Sequence, residues 1–191
     1  MGIKTVIGMA GLGIAGGVAF ILSGAFNVSA TDRHWDITTS LLELVRERSV
    51  EVRSKDIQDP PLGDLQMVSN GAKNYAAMCA QCHLAPGMEP TELNQGLYPQ
   101  PPVFHQQREK HDKYDKHDPA ETFWAIKHGF KMTGMPAWGE FHTDEQLWEL
   151  VAFLDVVEGM RPEYYQGLVG EGGHTHVQND QDAVPHIDSH N

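Results

Sequence analysis

Two cysteines occur in 191 residues, at positions 79 and 82, and a histidine follows at once in Cys79-Ala80-Gln81-Cys82-His83. At the end of a helix this spacing puts two thiols on adjacent turns. They can add there to the two vinyl groups of one haem while His83 presents its imidazole to the iron from the same side. Other chemistries are open to a Cys-x-x-Cys pair. A zinc half-site needs two further ligands at comparable spacing, and none of the other histidines forms a compact pair near a partner cysteine. A thioredoxin-like redox pair belongs in a strand-to-helix turn of an α/β fold, and a disulfide is allowed in an exported chain. None of the three gives His83 a role. The expected cofactor is one covalent haem c, with Cys79 and Cys82 as its thioether residues and His83 as an axial iron ligand.

A low-spin electron-transfer iron needs a second axial ligand, and thioether sulfur is the choice that raises the reduction potential. Of the eight methionines, Met135 stands in Thr133-Gly134-Met135-Pro136-Ala137-Trp138-Gly139. Gly134 and Pro136 force a non-helical loop that can aim the sulfur at iron, and Trp138 can wall the pocket. Met132 is the nearest rival, without the following proline that would stiffen its backbone; Met88 and Met160 sit less well. Most methionines simply fill gaps in cores, but Met135 is expected to be the ligand.

These groups need elements to position them. Three helical patterns are predicted, over roughly 67–79, 119–129 and 143–158, joined by loops rich in Pro and Gly, with no alternation of period two. Pro119 suits a first turn, and Thr143 with Gln146 three residues on forms a capping box. Gly159 and Pro162 are expected to end the third helix. Upstream, Asp36 or Thr38 can cap an amphipathic helix carrying Ile37, Leu41, Leu44 and Val45, expected to pack on the domain or to rest near a lipid surface. Asp59-Pro60-Pro61 breaks it.

These residues resemble the class I c-type cytochromes over roughly 67–160. The resemblance implies an all-α, cytochrome c-like domain of three to five helices around one covalent haem. It implies that Gly71 and Tyr75 belong to an N-terminal helix whose small residue allows close crossing with the C-terminal helix, and that Trp148 and Phe153 are aromatic contacts of the latter. Ala125 to Gly139 (AIKHGFKMTGMPAWG) is similar to that family's axial methionine loop. Gly96-Leu97-Tyr98-Pro99-Gln100-Pro101-Pro102 is similar to the loop whose proline carbonyl accepts a hydrogen bond from the iron-ligating histidine, which fixes the imidazole tautomer. Pro102 is the candidate, with Pro101 and Pro99 as alternatives; Tyr98 and Trp138 join the haem-binding set. The whole layout is similar to small membrane-anchored bacterial monohaem cytochromes c, apart from a polar insertion between His105 and Asp118 and a tail after Arg161.

From Thr5 to Phe26 the chain is uncharged and apolar or small, long enough to cross a bilayer. It is expected to remain as an anchor, although Val28-Ser29-Ala30 offers a cleavage site that would release a periplasmic form. The expected organisation is a transmembrane segment over 1–30, the amphipathic helix and linker over 31–64, the cytochrome c domain over 65–162, and an acidic, His-rich, disordered tail over 163–191. A net charge of −12 excludes a nucleic-acid binder, which needs clustered Lys and Arg. His105, His111 and His117 in the insertion, and His174, His176, His186 and His190 in the tail, are read as solvated polar residues rather than a copper, zinc or nickel site.

Both axial positions being filled, the expected role is electron carriage rather than enzymatic turnover. The donor is expected in the bacterial inner membrane or periplasm and the acceptor is expected to be a terminal oxidase or reductase. The alternatives are an electron-relay subunit of a dehydrogenase or reductase complex, or a metal-handling protein using the tail.

Overall fold

A computed structural model describes residues 2–106 and 118–170 of the chain. His111, His117 and the four tail histidines lie outside the described residues. The division into two units falls between Leu44 and Val45, inside a helix rather than at the expected linker.

In the first unit, helix α1 (Ile3–Ser23) has no buried residue and ends at Gly24 in the left-handed conformation, φ 67°. It is long and apolar enough to cross a membrane; 21 residues at about 1.5 Å each match a hydrocarbon core of about 30 Å. A hydrogen-bonded turn follows, in which Asn27 Nδ2 donates to Asp32 Oδ2 at 3.0 Å and Asp32 N to Ser29 O at 3.2 Å. Helix α2 (Asp36–Ser54) then starts from the Trp35 carbonyl, which accepts from Thr38 N at 2.8 Å and Thr39 N at 3.0 Å. Asp36 therefore sits in the first turn, where its charge opposes the positive end of the helix dipole.

The second unit begins with the end of α2, where Val50 and Ser54 are buried. It continues through α3 (Leu65–Met78), the single turn α4 (Ala80–His83), the short α5 (Glu92–Gly96) and α6 (Pro119–His128). A 3-10 turn (Trp138–Glu140), α7 (Asp144–Leu154) and α8 (Pro162–Val169) complete it. Among the described residues there is no strand, and the domain is all-α as expected. Helices α3, α6 and α7 start on side-chain caps. Asp64 Oδ1 accepts from Gln66 N and Met67 N at 2.8 and 3.0 Å, and Asp118 Oδ1 from Ala120 N at 2.9 Å. The Thr143 and Gln146 capping box closes at both of its bonds.

The core forms where α3 crosses α7. Val68, Ala72 and Tyr75 pack with Leu147, Leu150, Val151 and Phe153. Gly71 is what lets the axes approach: a Cβ there would overlap the Glu149 carbonyl and lie 2.9 Å from Phe153 Cβ. Asn70 and Asn74, one turn apart, donate to the two carboxylate oxygens of Glu149 at 2.7 and 3.2 Å and fix the crossing point. Phe153 meets Tyr75 at 5.1 Å between ring centroids, whereas Trp148 stacks on Phe123 of α6 at 4.2 Å. The two aromatic residues thus join α7 to different partners.

Two expected boundaries move. The third pattern leaves the helix at Leu154 rather than Glu158, and the chain turns so that Gly159 N donates to His105 O at 3.0 Å. Residues 163–169, expected with the tail, form α8 instead, because Pro162 serves as a first-turn residue as well as a stop. Tyr165 is fully buried against Phe153, and Val169 is buried with it. Their spacing with Leu168, i, i+3, i+4, was the available signal.

Among the described residues, carboxylates crowd together at the start of α6. Burial, then the carboxylates of Asp118, Glu51 and Glu47, push the Glu121 carboxyl above its ordinary 4.5. The folded state therefore holds this proton more tightly than the unfolded chain. Glu121's contribution to stability is complete below about pH 4.5 and is lost as pH rises through the raised value. Denaturant unfolding of Glu121→Gln across that window should show a smaller fall in stability with pH than the parent protein shows.

Candidate functional site

The Cys79-to-His83 segment leaves α3 at its C-terminal end and makes one further turn, with Cys82 N and His83 N donating to Cys79 O at 3.1 and 2.9 Å. It ends at Leu84, φ 57° and ψ 164°, a conformation that costs a non-glycine residue on the order of 1–3 kcal/mol and persists only where the surroundings enforce it. Tyr75 enforces it here. Its hydroxyl, buried in the core, donates to Leu84 O at 2.6 Å, and burial holds the phenol far above its usual pKa. Tyr75→Phe would leave a buried carbonyl unsatisfied, with an expected loss of about 1–3 kcal/mol in denaturant unfolding.

Two more carbonyls of the turn are held from α5. Thr91 Oγ1 donates to Gln81 O, and the buried Asn94 donates through Nδ2 to Cys82 O at 2.8 Å. Asn94 Oδ1 in turn accepts from Gln100 Nε2 at 3.4 Å, which ties the cysteine turn to the proline loop. That loop contains the half-buried Tyr98, whose peptide bond to Pro99 is cis. It brings Pro102 O to 2.8 Å from His83 Nδ1. Phe104 stacks on the His83 ring at 4.7 Å. Burial lowers the His83 pKa and the bond to Pro102 opposes this, so the imidazole is held neutral near pH 7. With Nδ1 donating to the carbonyl, Nε2 keeps its lone pair.

The thiols are free, not joined in a disulfide. Burial, and then the neighbouring Cys82, push Cys79 up to about 12, the reverse of the depressed pKa that a reactive redox thiol requires. Among the described residues no cluster of three His, Cys, Asp or Glu side chains could hold a metal ion. Both findings weigh against the redox-pair and zinc readings of the same cysteines.

The methionine loop is tightly braced. Phe130 N donates to Met135 O at 3.2 Å, Met135 N to Thr133 Oγ1 at 3.1 Å, and Thr133 Oγ1 to Phe130 O at 2.9 Å. Gly129, φ 61°, lets the Met135-Pro136 backbone pass where a Cβ would lie 2.6–2.7 Å from it. Met135 is half-buried and packs on the core together with Cys79, Met88, Phe104, Trp138 and Met160. Its rival Met132 is 100% exposed at φ 58°. The residues fit a covalent haem: two thiols one turn apart, an imidazole with one nitrogen engaged and one available, and a thioether in a stiff loop. The half-buried apolar side chains around them suit a flat apolar ring. An open cleft of about 380 Å³ beside Leu62, Val68, Met160 and Tyr164 borders none of the four donors.

Sequence reasoning missed Thr91, Asn94 and Phe104. No local pattern marks them, since each acts across a loop.

An all-helical domain closing on a Cys-x-x-Cys-His turn is consistent with a c-type cytochrome of class I. Residues 66–154 match the family described as cytochrome C oxidase, cbb3-type, subunit III, a span that runs from the start of α3 to the end of α7. No curated protein and no solved structure matches the chain. The domain makes this an electron-transfer haem protein.

Proposed function

We propose that the chain is a monohaem c-type cytochrome that carries single electrons between a membrane or periplasmic donor and a terminal oxidase or reductase. In this reading α1 holds it in the bacterial inner membrane with the domain on the periplasmic side; cleavage after Ala30 would yield a periplasmic form of the same carrier. The observation that supports it most is the 2.8 Å approach of His83 Nδ1 to Pro102 O, which sets the tautomer and leaves Nε2 to the iron.

The haem supplies one-electron chemistry when bound. Cys79 and Cys82 would tie it to the chain, and His83 and Met135 would hold its iron from imidazole and thioether. With both donors engaged the iron would have no place for oxygen or peroxide, which suits electron carriage rather than substrate turnover. The half-buried Trp138, Tyr98 and Phe104 would shield the group from water, which would favour the less charged ferrous state. A second reading, a relay subunit within a larger membrane complex, draws on the family description, which names an oxidase subunit.

Matured protein should carry one haem per chain, and the pigment should stay with the polypeptide in acidified organic solvent. A colourless product, or pigment that extracts freely, would overturn the reading. Copurification of stoichiometric partner subunits after mild detergent extraction would select the relay form.

A further inference from the structure

Helix α2 presents its more apolar side to the outside. Ile37, Leu41, Leu44, Val45 and Val52 stand at i, i+4, i+7, i+8 and i+15, one stripe on a helix of 3.6 residues per turn. All are exposed, Ile37 to 77% and Leu41 to 59%. The residues of α2 that are buried, Val50 and Ser54, project roughly 170° and 130° around the axis from the middle of that stripe. Of the charged residues between Val45 and Val52, Arg48 falls within the stripe and Glu51 at its edge, and the two are paired at 2.5 Å.

We infer that this stripe lies on the surface of the bilayer that α1 crosses, as an interfacial helix. The inference rests on the anchor reading of α1. Twelve residues, 24–35, separate the two helices, so the stripe starts within about 40 Å of the span even at full extension. The turn over Asn27 to Asp32 shortens that reach. Once α1 is inserted, contact between α2 and lipid is intramolecular, at an effective concentration in the millimolar range. Trp35 is 70% exposed at the start of α2, and Phe26, stacked on His34, stands just past the end of α1; aromatic rings favour the level of the lipid headgroups. A second copy fits less well, since a stable protein interface takes about 20–30 residues a side and one stripe offers five. With a net charge of −12, the apolar side chains and not the charges must supply the attraction, so neutral phosphatidylcholine is the suitable lipid.

The test is the full-length haem protein in phosphatidylcholine vesicles, spin-labelled in turn at Leu41→Cys, Leu44→Cys and Val52→Cys on the stripe and at Ser40→Cys and Glu47→Cys off it. The expected result is a several-fold higher ratio of collisions with oxygen over collisions with a water-soluble nickel chelate at the stripe positions. Adding Leu41→Glu with Leu44→Glu should remove this at Val52 while the haem spectrum stays unchanged, which reports an intact domain. Stripe labels as open to nickel as the off-stripe labels, in protein that resists an alkaline wash, would overturn the inference and leave the anchor standing. Protein released by that wash would overturn both. Stripe labels sheltered from both probes, with dipolar broadening between copies, would assign the face to a second chain and overturn it too.

Discussion

Replacing Met135 by alanine should abolish the weak sulfur-to-iron band at the red end of the visible spectrum and lower the reduction potential by a sizeable fraction of the ~0.8 V that axial ligands command. The loop bonds from Phe130 and Thr133 fix the Met135 backbone. Met132, three residues earlier, is fully exposed and held in the left-handed region. Met132→Ala should therefore leave the band and potential essentially unchanged. Retention of the band in Met135→Ala, with loss in Met132→Ala, would reverse the assignment. The pair of variants is read by optical spectra and a redox titration, and each controls for the effect of the other on folding.

The second large effect is on stability. Gly71→Ala places a Cβ onto the Glu149 carbonyl, a backbone atom that cannot rotate aside. Overpacking of this kind costs about 1–3 kcal/mol and occasionally more. The upper part of that range applies, because α3 and α7 must separate along the whole crossing and the bonds from Asn70 and Asn74 to Glu149 go with it. Alanine's better helix propensity returns only about 1 kcal/mol. A net loss of about 2 kcal/mol corresponds to a melting temperature lower by roughly 10 °C, and Gly71→Val should be worse. Thermal unfolding followed by far-ultraviolet dichroism checks this. A melting temperature within a degree or two of the parent would show that the crossing is looser than the geometry indicates.

What could be read from the sequence was whatever is local. The two cysteines and His83 carry their chemistry within five residues. Thr143 with Gln146 marks a helix start by bonds that close within one turn, and Pro119 marks another by suiting a first turn. The family resemblance supplied the long-range pairing of Gly71 with the last long helix, and the structure places Glu149 and Phe153 against it. The pattern also supplied Pro102 as a candidate, and its carbonyl stands at His83 Nδ1.

What could not be read depends on contacts between distant segments. Asn94 looks like any loop asparagine until α5 folds under the cysteine turn and its amide meets Cys82 O. Leu84's positive φ is invisible in a leucine, and the Tyr75 hydroxyl that holds its carbonyl lies nine residues earlier. α8 is hidden for a different reason: Pro162 reads as the end of one element while it also begins the next, so it does not mark Tyr165 as the residue that closes the core against Phe153.

The contrast between the two methionines of one loop has a chemical consequence. Peroxide and related oxidants convert accessible methionine to its sulfoxide. Met132, wholly open to solvent, meets them before the sheltered sulfur three residues on. Early damage thus falls on a fully exposed side chain, three residues short of the thioether expected to hold the iron.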